Sequence, residues 1–562
     1  MNKVSGKLLT YLFSCVVFFI GLGCGNSSKF VIPNAPPNDQ RQVPQPEERE
    51  INLATDNVNK LATEPTKQIF DLSSHFRKLF GSPKQAMNVD PFDEVYNSSW
   101  FTNRNAVSQM SLEEIAKGPD VGYGPDTSGV WTIFRAKAEG VTPGFSIIDN
   151  RGDRYVIKFD SKNFPEMATG AELVSTKLFY AAGYNVPENY LCFFNPKNLQ
   201  LGENVKFTDE KGQKRFMNEG DLAKILDRIQ RRPDGLIRAV ASKYLPGRPI
   251  GPFRYSGIRK DDDNDVIPHQ HRRELRGLRI IAAWLNHYDT KANNSLDIYV
   301  QDGFVKHYLI DFGSTLGSQG DEPMPPEIGR EGPGDPDQVF KSIASLGIYI
   351  RPWETNPKIP YPSVGYFSSE NFNPLHYKYI LPNPAFSKAT NLDCYWGAKI
   401  VMSFTDEQIR TAVEQGQYSN PEAEEYLIRT LIERRDIVGR FFFARTPPLD
   451  KFEIRDTPSE EQELNFRDLA IESGFENEYD TKYIYGIHRN GEEIEKFQQV
   501  EHKGVIPLSK SLIDKNSETN KLKIELKLKR GRNTQWSKSV QIYVEFEPDS
   551  QKFFLLGIKR QN

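Results

Sequence analysis

Cysteine is scarce in this 562-residue chain: there are four, and two of them, Cys15 and Cys24, sit at the N-terminus. Cys192 and Cys394 are too few for a disulfide framework and lack the paired spacing of a zinc site, so both are expected as buried thiols. Net charge is almost absent, since 72 basic and 75 acidic residues leave −3. A nucleic-acid binder held by bulk charge would be far more basic, which sets that class of partner aside. Long apolar runs are missing beyond the first 24 residues, which excludes a multi-span membrane protein. Neither G-x-S-x-G nor H-E-x-x-H occurs, which weakens hydrolase readings. Aromatics are plentiful instead: 36 Phe, 24 Tyr and 6 Trp supply a large core, over a length of about four domains.

The chain opens MNKVSGKLLTYLFSCVVFFIGLGC. Lys3 and Lys7 precede the apolar stretch Leu8–Leu22, broken only by Thr10, Ser14 and Gly21, and small residues lead into Cys24. The segment 1–23 resembles a bacterial lipoprotein signal peptide, although Gly21 stands where that family usually has leucine. The resemblance implies lipidation of Cys24, a membrane attachment through that lipid, and a place in the bacterial cell envelope facing outside the cytoplasm. An uncleaved anchor helix or an ordinary signal peptide would export the chain equally. Residues 24–88 are expected as a tether and a short helix. The part 26–55, rich in Pro, Asn, Gln and charge, reads as extended and solvated, and Val58–Phe80 carries a helical pattern.

From 89 to 455 the pattern is globular and mixed. Tyr155–Phe159 is a short β-like run after the turn Asp149-Asn150-Arg151-Gly152. Ala168–Ala182 reads as a helix with Ala171, Val174, Leu178 and Ala181 on one face, stopped by Gly183. His271–Asn286 repeats its apolar residues at helical spacing, Tyr308–Ile310 suits a buried strand, and Thr405–Glu414 and Pro421–Phe443 are helices. Residues 317–337 and 351–386 are rich in Pro and Gly and are expected as long loops. After Pro447-Pro448 the runs Tyr483–Ile487, Leu522–Leu528 and Val540–Phe546 alternate apolar and polar, the mark of an antiparallel sheet with one wet face. That places a β-sandwich-like domain at 456–562.

Four segments carry chemistry. Gly140 and Gly144 form a glycine-bearing turn ahead of Tyr155–Phe159, where backbone N–H groups can approach phosphate closely; a plain hairpin turn is the bland alternative. Lys158 lies within an apolar strand and Glu172 follows on the next helix. A buried lysine needs such a counter-charge, whereas an edge strand would leave Lys158 in water. His287-Tyr-Asp289-Thr-Lys291-Ala-Asn-Asn294 follows the His271–Asn286 helix, with an aspartate able to reach a hydroxyl and an asparagine able to reach a cation. A polar helix-ending loop is the alternative. Asp311-Phe312-Gly313 comes 22 positions after Asp289, with a predicted hairpin between them.

In this order the segments resemble the protein-kinase-like superfamily, in its atypical branches: HipA-like kinases, spore-coat CotH kinases, phosphatidylinositol kinases and secretory-pathway kinases. The resemblance covers about 130–315. It implies an α+β fold, with a two-lobed kinase-like domain at 89–455 followed by the β-sandwich-like domain. It also implies ATP or another nucleotide as cofactor, bound by Lys158, Glu172, Gly140 and Gly144. Mg²⁺ or Mn²⁺ would be held by Asn294 and Asp311, and Asp289 would be the catalytic base, with Lys291 neutralising charge on the transferred group. A full G-x-G-x-x-G and an A-P-E segment are absent, and residues 380–445 stand where the substrate-docking part would be. The implied activity is transfer of a nucleotide γ-phosphoryl to a hydroxyl on protein, lipid or glycan. ATP is scarce outside the cytoplasm, which gives a second reading, a catalytically inactive kinase-fold binding module. A nucleotidyl- or glycan-directed transferase using the same site is a third.

Three further features are read as structural. Asp261–Asp265 is expected as an exposed acidic loop because it lacks the glycine and distal glutamate of an EF-hand. His269 and His271 form the approach to a helix, and Trp131, Phe134 and Phe145 are expected in the core.

Overall fold

Alternation along Arg154–Phe159 (β3) puts Tyr155, Ile157 and Phe159 on a fully buried face and Lys158 on the other. In the computed structural model β3 lies centrally in a six-stranded sheet with Trp131–Ala136 (β1), Gly144–Ile148 (β2), Asn189–Phe194 (β4), Leu199–Leu201 (β5) and Ile237–Lys243 (β6). The spatial order is β4-β6-β3-β2-β1-β5. The structure describes residues 32–50, 83–136, 144–208, 213–330, 341, 343–345, 348–351, 353–354, 359–458, 461–501, 504–514 and 520–561. The expected signal peptide 1–23, Cys24, the helix at Val58–Phe80 and Gly140 lie outside these residues. The chain divides into two compact units, one formed by Asn34–Pro448 with Leu469–Phe475 and one by Leu449–Asp468 with Glu476–Gln561.

Among the described residues the first unit has two large apolar cores, one to each of two lobes, beside smaller clusters. The smaller holds Trp131, Phe145, Tyr155, Phe159 and Phe194 beneath the six-stranded sheet. The larger is helical and includes Trp284, Trp396, Leu431 and Val438. Helix α1, Met167–Ala182, belongs to the larger core although it serves the sheet. Apart from Tyr180 every residue of it is buried. It ends at Gly183, whose φ of +118° suits only glycine and whose missing Cβ makes room for the Phe101 ring.

Helix α2 spans Arg273–Trp284, two residues shorter at each end than its periodicity suggests. Arg272 is extended before it and Asn286 turns left-handed after it, with φ +55°. The loop beyond leads into a hairpin of Ser295–Tyr299 (β7) and Val305–Leu309 (β8), paired from Ser295 with Leu309 to Tyr299 with Val305. Helices Asn391–Met402 (α3), Asp406–Glu414 (α4) and Pro421–Phe443 (α5) complete the larger lobe. Capping boxes at Thr390 with Asp393 and at Thr405 with Gln408 start the first two. Asp393 also receives Arg273 at 3.1 Å and Arg276 at 3.0 Å, a fully buried charge cluster that fixes α2 against α3.

The second unit consists of antiparallel sheets. Leu449–Asp456 (β9), Gln462–Asp468 (β10) and Val505–Leu508 form one, and Thr481–Arg489, Glu492–Gln499, Asn520–Arg530, Val540–Glu547 and Lys552–Arg560 form the other. The change of character after Pro447-Pro448 coincides with the start of β9 at Leu449, and the domain start expected at 456 falls at the last residue of that strand. Phe466 of the first sheet meets Tyr483 of the second edge-on at 5.3 Å, so apolar faces of the two adjoin. The fold is thus α+β, with a two-lobed unit followed by a largely antiparallel β unit.

Three expectations need correcting. Residues 39–49 do not run free in solvent: they bond to the first unit from Asp39, which accepts from Ser99, to Arg49, which donates to Pro252. Asp261–Asp265 is not an exposed acidic loop, because Asp262, Asn264 and Asp265 are buried. Asp265 accepts from His269 at 2.7 Å and from the Arg259 backbone, and Arg272 lies 3.5 Å away. Nearby cations draw the loop inward. Phe134 is half-buried beside Tyr244 and Arg154 rather than central, while Trp131 and Phe145 are core.

Candidate active site

Lys158 points from β3 toward α1, where its Nζ donates to Glu172 Oε2 at 2.8 Å and to Asp311 Oδ1 at 2.9 Å. The two acceptors differ in setting. Glu172 is 1% exposed and can serve only the lysine and its own neighbours, whereas Asp311, 45% exposed, is open to a ligand. Burial alone would lower the ammonium pKa, but Asp311 and Glu172 raise it, and the balance lies above the ordinary lysine value. The cation is therefore permanent at any physiological pH.

Glu172 is held in turn. Asn189 on β4 donates through Nδ2 to Glu172 Oε1 at 3.2 Å and to Thr176 Oγ1 at 2.7 Å. At the start of α1, Thr169 donates to Asp160 and accepts from Arg238 at 2.9 Å, while Arg238 also donates to the carbonyls of Gly416 and Gln417. Glu166 accepts from Ser419. The helix carrying Glu172 is thus tied to the turn between α4 and α5. None of these residues was singled out from sequence, and no local motif marks them.

The other half of the site is the loop after α2. Asn294 donates through Nδ2 to the Asp289 carbonyl at 2.8 Å and to Asp289 Oδ2 at 3.1 Å, so its amide oxygen faces away from both. Lys291 donates to the same Asp289 oxygen at 2.8 Å. The hairpin joins the halves. Ser295 pairs with Leu309, and the Ile310 N–H donates to the Asn294 carbonyl at 3.1 Å, which sets Asn294 beside Asp311. Asp311 has φ +65°, a conformation costly for a non-glycine residue and typical of constrained functional positions. Phe312 is fully buried, stacked on Phe179 of α1 at 4.8 Å and edge-on to His287 at 5.9 Å. Burial lowers the His287 pKa, with Asp289 opposing, and leaves the ring neutral as a packing element. Thr315, bonded to Ser175 at 2.6 Å, and Leu316, whose N–H donates to Leu285, fasten the following turn.

Of the residues singled out from sequence, Lys158, Glu172 and Asp311 form one polar cluster and Asp289, Lys291 and Asn294 a second, and the backbone bond from Ile310 to Asn294 links the segments that carry them. Gly144 sits on β2 directly across from Lys158. Cys192 and Cys394 are buried free thiols. Among the described residues no group of three or more His, Cys, Asp or Glu is placed to hold a metal. A hard cation here would draw on one carboxylate and one amide oxygen, with phosphate and water completing its shell, a donor set that suits Mg²⁺ or Mn²⁺ bound together with a nucleotide.

No family model matches the chain, and no curated protein matches it. Solved structures similar to it include a Helicobacter pylori proinflammatory kinase, CtkA, at 13% identity and a TM-score of 0.28, covering 55% of this chain and 94% of that one. The Golgi casein kinase with Mn and ADP bound shows 12% identity and a TM-score of 0.28, over 59% and 77% of the two chains. A further Golgi casein kinase structure shows 10% identity and a TM-score of 0.28, over 76% and 95%. Likenesses this low carry no weight for function, which rests on the geometry above.

Proposed function

We propose that the protein is a kinase-like phosphotransferase that moves the γ-phosphoryl group of ATP or another nucleotide to a hydroxyl acceptor. The observation that supports this most is the double engagement of Lys158 by Glu172 and Asp311, with the β7–β8 hairpin and the Ile310–Asn294 backbone bond joining the Asp289–Asn294 loop to the segment that carries Asp311. A pure binding cleft has no need of all these groups together. In this reading Lys158 binds phosphate oxygens and Glu172 orients it. Asp289 accepts the hydroxyl proton, and Lys291 offsets charge on the transferred group. Asn294 and Asp311 hold Mg²⁺ or Mn²⁺, which when bound neutralises charge between the β- and γ-phosphates. Gly144, facing Lys158, lets the backbone of β2 approach the same phosphates.

The test is nucleotide binding followed by thermal shift with Mn²⁺ or Mg²⁺, repeated on Asp311→Ala. A metal-dependent shift that vanishes in the variant is expected. No shift with any nucleotide would refute the reading and leave a kinase-fold binding module. The same proposal places the protein in the bacterial cell envelope, anchored through a lipid on Cys24, on the strength of residues 1–24. Cys24→Ala is expected to abolish incorporation of a labelled fatty acid, and labelling that persists would refute the anchor.

A further inference from the structure

The segment 39–49 lies along the outside of the hairpin that joins the two halves of the site, and it is bonded at nearly every other residue. Asp39 accepts from the Ser99 N–H at 3.0 Å and from its hydroxyl at 2.7 Å. The Arg41 carbonyl accepts from Asn264 at 2.7 Å. Val43 donates to the Gly303 carbonyl at 2.8 Å and accepts from the Tyr299 hydroxyl at 2.8 Å, which holds both ends of the β7–β8 turn. The Glu47 N–H donates to Asp261 at 2.9 Å, and its carbonyl accepts from Arg259.

Arg49 closes the strap. Its N–H donates to the Ile250 carbonyl at 3.2 Å, and its guanidinium donates to the Pro252 carbonyl at 3.1 Å and to Asp297 Oδ2 at 3.2 Å. The Arg49 carbonyl rests where a Cβ on residue 251 would be, and Gly251, at φ +92°, leaves that space open. Asp297 is fully buried on β7, three positions after Asn294. It also receives Arg259 at 3.1 Å and His307 of β8 at 2.7 Å. One carboxylate therefore ties the strap, the segment before α2 and both strands of the hairpin to one another.

We infer that Arg49 is a positioning residue for the site, acting through Asp297 to fix the hairpin whose ends carry Asn294 and Asp311. This role rests on the phosphotransferase reading. Removing the guanidinium deprives a buried carboxylate of one of its two arginines, and the strand that starts at Ser295 loses its outer support.

The experiment uses the full chain. Hydrogen exchange is followed at residues 295–310 and, as an internal reference, at 154–159, in wild type, Arg49→Ala, Arg49→Lys and Asp39→Ala. In parallel, the Mn²⁺ concentration needed for half of the ADP-dependent thermal shift is measured. Arg49→Ala is expected to speed exchange of the hairpin amides, Ile310 included, by about tenfold, to leave 154–159 unchanged, and to raise the Mn²⁺ requirement severalfold. Arg49→Lys restores most of both effects, and Asp39→Ala, which frees only the far end, alters neither. Unchanged hairpin exchange in Arg49→Ala overturns the inference. Faster exchange with an unchanged Mn²⁺ requirement also overturns it, because the contact is then only structural. Should wild type give no Mn²⁺–ADP shift, the phosphotransferase reading falls and the positioning role with it, while exchange still reports whether the strap holds the hairpin. If Arg49→Ala does not fold, Arg49→Gln takes its place with the same readouts.

Discussion

Lys158→Met separates the ion pair from its surroundings and tests the site at its most buried point. Glu172 is 1% exposed and would be left with the Asn189 amide at 3.2 Å as its hydrogen-bond donor. Breaking a buried pair by removing one partner costs about 3–5 kcal/mol. Asp311 loses a partner as well but is 45% exposed, so water replaces the contact at a cost of about 1 kcal/mol or less. The double variant Lys158→Met/Glu172→Met removes both charges and costs the Asn189 amide one of its two acceptors, Thr176 remaining, for about 1–2 kcal/mol. The second change should therefore recover about 2–3 kcal/mol of what the first loses. Urea unfolding of the full chain, with the midpoint of the transition that melts the first unit and an unchanged m-value, measures both. The pH dependence follows from the same geometry. Wild-type Lys158 has a folded-state pKa above the ordinary lysine value, so its contribution is complete below that ordinary value and is lost as pH rises through the folded-state pKa. A single variant within about 1 kcal/mol of wild type, or a double variant less stable than the single, would refute the pairing.

Two further outcomes follow from the other half of the site. Asp289→Asn is expected to lower phosphotransfer by about 10²–10⁴-fold, the range for a lost general base, while the Mn²⁺–ADP thermal shift persists; loss of that shift would show a role in binding instead. Phe312→Ala empties a fully buried space between Phe179 and His287. It is expected to cost about 3–5 kcal/mol in urea unfolding, and a near-neutral result would mean that the ring is not packed as described.

The candidate site was legible in the sequence because its spacing is short. Lys158 within Tyr155–Phe159, Asp289 and Asn294 in one loop, and Asp311 after a hairpin each need only local pattern. The helix around Glu172 was found for the same reason, but its surroundings were not. Apolar residues on one face gave no hint that Glu172, Thr176 and Lys177 would be buried on the others, since their partners, Asn189 for the first two and Asp120 for the third, come from elsewhere in the chain. The strap was read as solvated because it is poor in apolar residues. Its attachment uses main-chain groups of Arg41, Val43 and Glu47, which composition does not report. The acidic run 261–265 failed similarly, since its burial depends on Arg259, His269 and Arg272 curling around it.

These long-range supports explain why the two halves of the site have different physical foundations. Glu172 rides on a helix that is part of the larger core, so moving it would open apolar packing at Val174, Leu178 and Phe179, at about 25 cal/mol for each Å² exposed. Asn294 and Asp311 share in that core only through their neighbours, since Leu309 and Phe312 belong to it. Their placement comes from five β pairs, one bond between Ile310 and Asn294, and the charges that meet at Asp297. Hydrogen bonds contribute about 1 kcal/mol apiece, and each can open singly, whereas a buried helix moves only as a whole. The half carrying Lys158 and Glu172 is consequently held chiefly by packing, and the half carrying Asn294 and Asp311 combines the packing of Leu309 and Phe312 with polar contacts, among which the charges meeting at Asp297 support the β7–β8 hairpin.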